Sequence, residues 1–189
     1  MRIGRQLTQL ADDIAAVIPD IDAETTGQYG AGIGSEDEER QVELIFKRLQ
    51  QLDSRYEGAE REVMYPGETQ ECDLVLATGV PIECKLIRYW RANGDPEHYM
   101  PMRIFSPFNK NTILTDAKAL RESEFESDAG LLGLFYKRAE DDPVEVRALP
   151  ERFTAENFAG KLIKDLRYWY DIDASICGVS HFSGLQHSI

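Results

Sequence analysis

Apolar residues recur along the chain at helical spacing in some stretches and in short unbroken or alternating runs in others, and the switches between the two mark out the elements. Over residues 2–18, Ile3, Leu7, Leu10, Ile14 and Val17 follow in steps of four and three, which predicts an amphipathic helix with Pro19 just past its end. The segment from Asp20 to Gly34 is glycine-rich, has no Walker-type lysine, and is expected to be an irregular, flexible connection. Ser35 is the expected N-cap of a second helix running to about Leu52, its buried face built from Val42, Ile45, Phe46, Leu49 and Leu52. Strands are expected over Arg61–Tyr65, on both sides of a turn between Glu71 and Lys85, and over Gly130–Tyr136, with a turn at Pro66-Gly67. Tyr89 to Lys110 reads as a long loop that Pro96, Pro101 and Pro107 keep irregular. Helices are expected over Asn111–Glu122 and Glu156–Trp169, and further strands over 144–149 and 175–182. The order helix, three strands, helix, strand, then additions predicts a mixed α/β core.

The hairpin carries the chemistry. In Glu71-Cys-Asp-Leu-Val-Leu-Ala-Thr-Gly-Val-Pro-Ile-Glu-Cys-Lys85, two apolar strands hold Asp73 on one arm and Glu83 and Lys85 on the other. Charged groups are costly in strands that favour burial unless they bind an ion or do chemistry. Alternation puts Glu83 and Lys85 on one face and Cys84 on the other. A two-residue turn at Thr78-Gly79 would set Asp73 against Cys84. A three-residue loop, Ala77-Thr78-Gly79 with Gly79 left-handed, sets Asp73 against Glu83, and glycine in third place favours it. Two carboxylates brought together this way repel unless a cation intervenes. Mg²⁺, with Mn²⁺ as a substitute, suits Asp73, Glu83, the Cys84 backbone carbonyl and waters. Lys85 beside it would orient or deprotonate water and stabilise a phosphorane, so the parts together suit phosphodiester hydrolysis.

Asp73-x9-Glu83-x-Lys85 resembles the PD-(D/E)XK, or restriction-endonuclease-like, nuclease superfamily. The resemblance covers roughly residues 35–138, with Cys72 standing where the family has proline. An N-terminal helix and glycine-rich connection (1–34) are expected to precede this core and C-terminal helix and strand additions (139–189) to follow it, all in a single nuclease domain; the resemblance implies an αβββαβ core whose mixed central sheet is flanked by helices. It also implies a further carboxylate from the preceding helix, for which Glu39 fits best and Glu38 and Glu43 less well. The implied activity is Mg²⁺-dependent cleavage of double-stranded DNA, with a homodimer for cutting both strands and the N-terminal helix as a possible seam. A nuclease-like binding or assembly subunit without catalysis is the alternative.

The net charge of −13 argues against a nucleic-acid partner, but its distribution does not. Between Lys85 and Arg121 seven basic residues face three acids, Asp95, Glu97 and Asp116. Arg88, Arg91, Arg103, Lys110, Asn111 and Lys118 are the candidate DNA contacts. The aromatic run Tyr168-Trp169-Tyr170 is expected in the core or an interface rather than as a stacking platform. With three cysteines and none in a CxxC spacing, a disulfide framework and a zinc site are not expected, and a reducing cytoplasm fits best. Cys72 and Cys84 are expected to be small core residues.

Overall fold

The computed structural model describes residues 3–27, 29–88, 91, 95, 97, 99–125, 128–136 and 155–175. Helix α1 spans Ile3–Glu24 and carries Pro19 inside it rather than beyond its end. The apolar period continues past the proline to Ile21, and burial of Ile18 and Ile21 offsets the hydrogen bond Pro19 cannot donate. The stripe of α1 packs on the protein's own core, so it offers no free dimer seam.

The glycine-rich segment is structured, not a loose connection. Two-residue strands β1 (Thr26–Gly27) and β2 (Gly30–Ala31) pair antiparallel, and a short 3₁₀ turn covers Ile33–Ser35. Asp22 Oδ1 accepts from the buried Ile33 N–H at 2.9 Å. Helix α2 spans Glu38–Leu52, and its N-cap is Asp37, whose side chain accepts from Arg40 N. Ser35 is buried two residues earlier, its hydroxyl donating to the Gly32 and Gly30 carbonyls, so it is not free to cap. Val42, Ile45, Phe46 and Leu49 are buried as expected, whereas Leu52 is 66% exposed because the helix runs off the core in its last turn.

Strands β3 (Glu60–Met64), β4 (Glu71–Val75), β5 (Pro81–Ile87) and β6 (Gly130–Phe135) form a sheet in chain order, antiparallel except for the parallel β5–β6 pair. A parallel pair needs a crossover, and it contains helices α3 (Met100–Phe105) and α4 (Ile113–Glu122). Helix α3 interrupts what was expected to be an irregular loop; Pro101 stands in its first turn, where a missing N–H costs nothing. A capping box between Thr112 and Thr115 starts α4. Helix α5 (Ala155–Tyr170) packs on α4 through Leu114, Ala117 and Leu166. Leu74, Ile82, Cys84 and Leu134 meet α1 and α2 in the main core. Gly130 is tied to that packing, since a Cβ there would come within 2.9 Å of Leu7 Cδ2.

The result is a mixed α/β fold, a four-stranded mixed sheet flanked by helices. The strands expected over 144–149 and, past Ser175, over 176–182 lie outside the described residues. No helix among the described residues is long and apolar enough to cross a membrane.

Candidate active site

The β4–β5 hairpin closes with a three-residue loop. Leu76 N donates to the Val80 carbonyl, Gly79 N donates to the Leu76 carbonyl, and Gly79 has φ +83°. Leu74 pairs with Ile82 and Val75 with Pro81, a register that sets Asp73 against Glu83 on one face, with Lys85 beside them.

Beyond the Leu74–Ile82 pair the ladder stops and β4 parts from β5. The N–H groups of β5 that would have bonded β4 are taken by carboxylates instead. Cys84 N donates to Asp73 Oδ2 at 2.7 Å, and Leu86 N donates to Glu38 Oε2. Buried backbone donors must find acceptors, and here the substitutes are the charged groups themselves. The opening between the strands and the gathering of acids are thus one feature.

Lys85 lies in the opening with its Nζ 3.2 Å from Glu38 Oε1 and 3.1 Å from Asp116 Oδ2. Burial alone would pull its pKa down, but Glu38 and Asp116 more than offset this and hold it above its ordinary value, so the ammonium is charged at neutral pH. Glu83 is only 6% exposed, which rules out a solvated cross-strand ion pair on an open sheet face. Its Oε1 accepts from the Tyr65 hydroxyl. Burial is the main force raising Glu83 to about 8; the Tyr65 hydrogen bond opposes this and the Asp73 charge adds to it. Burial likewise raises Asp116 to about 6, against the pull of Lys85.

No family model, curated protein or solved structure matches the chain.

The α2 carboxylate that reaches Lys85 is Glu38, not the expected Glu39. With Asp37 as cap, Glu38 shares its face with the buried Gln41, Val42 and Ile45, whereas Glu39 is turned one position round the helix and is exposed. Glu43 pairs with Arg40 on the outside. Asp116 and Tyr65 were not anticipated. Asp116 did leave a signal: it falls on the apolar stripe Ile113, Ala117, Leu120 of α4, where a charge needs a partner. Tyr65 left none, since a tyrosine ending a strand is ordinary.

The expected DNA contacts divide. Arg88 is buried, and its Nη1 donates to the Gly34 and Glu36 carbonyls, so it ties β5 to the 3₁₀ turn and does not face outward. Arg91 and Arg103 are exposed but share the buried Glu97, at 3.3 and 3.7 Å. Lys110, Asn111 and Lys118 are exposed, Lys118 lying 3.7 Å from Glu122. Cys72 and Cys84 are buried free thiols, as expected of small core residues.

Among the described residues no three His, Cys, Asp or Glu side chains form a ready-made metal cluster. Two of the four acids, Glu38 and Asp116, are engaged with Lys85. The remaining pair, Asp73 and Glu83, fits a hard cation in its chemistry: two carboxyl groups meet in a buried place where one of them resists ionisation. The same fact makes Glu83 a stability liability. Its folded pKa lies above the ordinary 4.5, so the cost of ionising it is absent at low pH, grows between about 4.5 and 8, and is complete above that. Glu83→Gln is therefore expected to raise stability little near pH 5 and by an amount on the order of a few kcal/mol at pH 9. Melting curves at the two pH values check this; a gain independent of pH would contradict it.

Proposed function

We propose that the protein is a metal-dependent DNA endonuclease of the PD-(D/E)XK, restriction-endonuclease-like type. The observation that carries this reading is the meeting of Asp73 and Glu83 in the opening between β4 and β5, with the Lys85 ammonium buried alongside. The order α2, β3, β4, β5, α4, β6, with the short α3 inserted before α4, supports it, matching the αβββαβ succession of that superfamily with the acids on adjacent strands.

Asp73, Glu83 and the Cys84 carbonyl would hold Mg²⁺. When bound, that ion supplies polarisation of the phosphate and acidification of a water molecule. Lys85 stays protonated, so it serves as a donor to the negative charge that grows on the phosphoryl oxygens rather than as the base for water. Glu38 and Asp116 hold the ammonium in place from two sides. Lys110, Asn111 and Lys118, around the first turns of α4, are the exposed groups best placed for backbone phosphates. Cleavage of both strands of a duplex calls for a symmetric pair of sites, and a homodimer would need a surface other than the α1 stripe.

A second reading keeps the fold and DNA binding without hydrolysis. It is favoured by one observation: two acids already claim the charge of Lys85. Incubation of supercoiled plasmid with the purified chain in Mg²⁺, in Mn²⁺ and in EDTA decides between them. Nicking or cutting that needs the divalent ion is expected, reduced at least about tenfold by Glu38→Gln and unchanged by Glu39→Gln. Plasmid left intact in both metals favours the second reading.

A further inference from the structure

Of the aromatic run at the end of α5, Tyr170 packs against Leu114, Ala117 and Leu166, whereas the other two rings stand outside the core. Tyr168 is 78% exposed and Trp169 43%, and Phe108, from the loop before α4, is 83% exposed. Phe108 and Trp169 meet edge to face with centroids 5.5 Å apart, and Tyr168 and Trp169 meet at 5.0 Å. Three rings from two segments thus form one surface cluster. It is fixed in place: the Tyr170 hydroxyl donates to the Pro107 carbonyl at 3.3 Å, and Arg121 Nη1 donates to the Tyr170 carbonyl. The loop is fastened in turn, since Thr112 Oγ1 donates to the Ser106 carbonyl at 2.8 Å while capping α4.

The surroundings of the rings are polar. The exposed positions beside them are Asn109, Lys110, Asn111, Lys164 and Arg167, together with the acids Asp171 and Asp173 that follow the aromatic run. Lys164 lies one helical turn before Tyr168 on the same face of α5. Lys110 and Lys164 form no ion pair among the described residues, whereas Arg167 and Lys161 are paired with Asp173 and Asp165. On a chain of net charge −13, unpaired lysines flanking bare aromatic rings suit an anionic partner that also presents flat apolar faces. A nucleic acid with unpaired bases combines the two: bases stack on the rings and phosphates meet the lysines. A duplex presents its phosphates but keeps its bases stacked inside.

We infer that Phe108, Tyr168 and Trp169, with Lys110 and Lys164, form a stacking platform for single-stranded nucleic acid. The inference rests on the nuclease reading and narrows its substrate to one with an unpaired segment. The loop that carries Phe108 leads directly into the first turn of α4, where Asp116 reaches Lys85.

The test is binding of the full chain to a labelled 15-nucleotide oligo(dT) and to a labelled 15-base-pair duplex, by fluorescence anisotropy in EDTA at low salt, where no cleavage occurs. Oligo(dT) is expected to bind at least about tenfold more tightly than duplex. Phe108→Ala/Tyr168→Ala should weaken oligo(dT) binding by about tenfold or more, leaving duplex binding and the circular dichroism spectrum unchanged. Lys110→Ala/Lys164→Ala should weaken it too and flatten its dependence on salt. No affinity for oligo(dT), equal affinity in the aromatic variant, or self-association abolished by that variant would overturn the platform. Asp73→Asn separates the two ideas: it should keep oligo(dT) binding. If the native chain binds oligo(dT) but cuts nothing in Mg²⁺ or Mn²⁺, the nuclease reading falls and the platform stands.

Discussion

Lys85→Met should destabilise the protein by about 3 kcal/mol at pH 8, and the loss should shrink as the pH falls toward about 6. Removing one member of a buried ion pair costs several kcal/mol because the partner's charge is left without compensation. Here two partners are left, Glu38 and Asp116, facing each other across the space the ammonium filled. Asp116 bears most of the cost, because it is the more buried; Glu38 is about one-third exposed and partly screened by water. The pH dependence follows from Asp116 already lying near 6 with Lys85 present, and Lys85 pulls it down. Without Lys85 it moves higher, so the carboxyl group is neutral in mildly acid solution and the repulsion disappears. Urea titrations at pH 8 and pH 5 measure this. A loss equal at both would mean that Lys85 stabilises through its methylene packing. Adding Asp116→Leu to Lys85→Met should recover most of the stability at pH 8, since an apolar pair in place of a buried ionic one is often neutral or better.

Asp73→Asn is expected to lower divalent-dependent cleavage by at least about a hundredfold, the scale on which one charge-stabilising contact is lost. The fold should survive, because an asparagine side-chain oxygen can accept the Cys84 N–H that Asp73 now accepts at 2.7 Å. Burial still raises Glu83 in the variant, but the Asp73 charge no longer adds to it, so Glu83 should titrate below 8. Single-turnover nicking of plasmid, set beside melting curves of the same preparations, separates a chemical defect from a folding one. Cleavage at the native rate by a well-folded Asp73→Asn would end the proposed mechanism.

The hairpin was legible in the sequence because its determinants are local. Gly79 accepts a left-handed φ at the third loop position, and that one conformation fixes which residue faces Glu83. The succession of elements was legible for a similar reason, as short apolar strands alternate with helical periods. What escaped depended on contacts distant in the chain. Arg88 belongs by composition to a basic segment, yet it serves carbonyls more than fifty residues earlier. The choice of Glu38 over Glu39 turns on which residue caps α2, and Ser35 is unavailable because the Gly32 and Gly30 carbonyls occupy its hydroxyl. Pro19 misled because a strong local rule met a stronger tertiary one, the burial of Ile18 and Ile21. The exposure of Tyr168 and Trp169 could not be told from burial in the sequence, where three aromatics in a row suit a core or an interface alike.

The register of β4 on β5 carries two jobs at once. Leu74 and Ile82, both wholly buried, are paired in that register, and it also sets Asp73 against Glu83. A slip by one residue would turn Leu74 outward as it carried Asp73 to the other side of the sheet. Mutations that loosen the hairpin are therefore penalised as folding defects before they could act as catalytic ones, and the greasy side of the strand keeps watch over the acidic side.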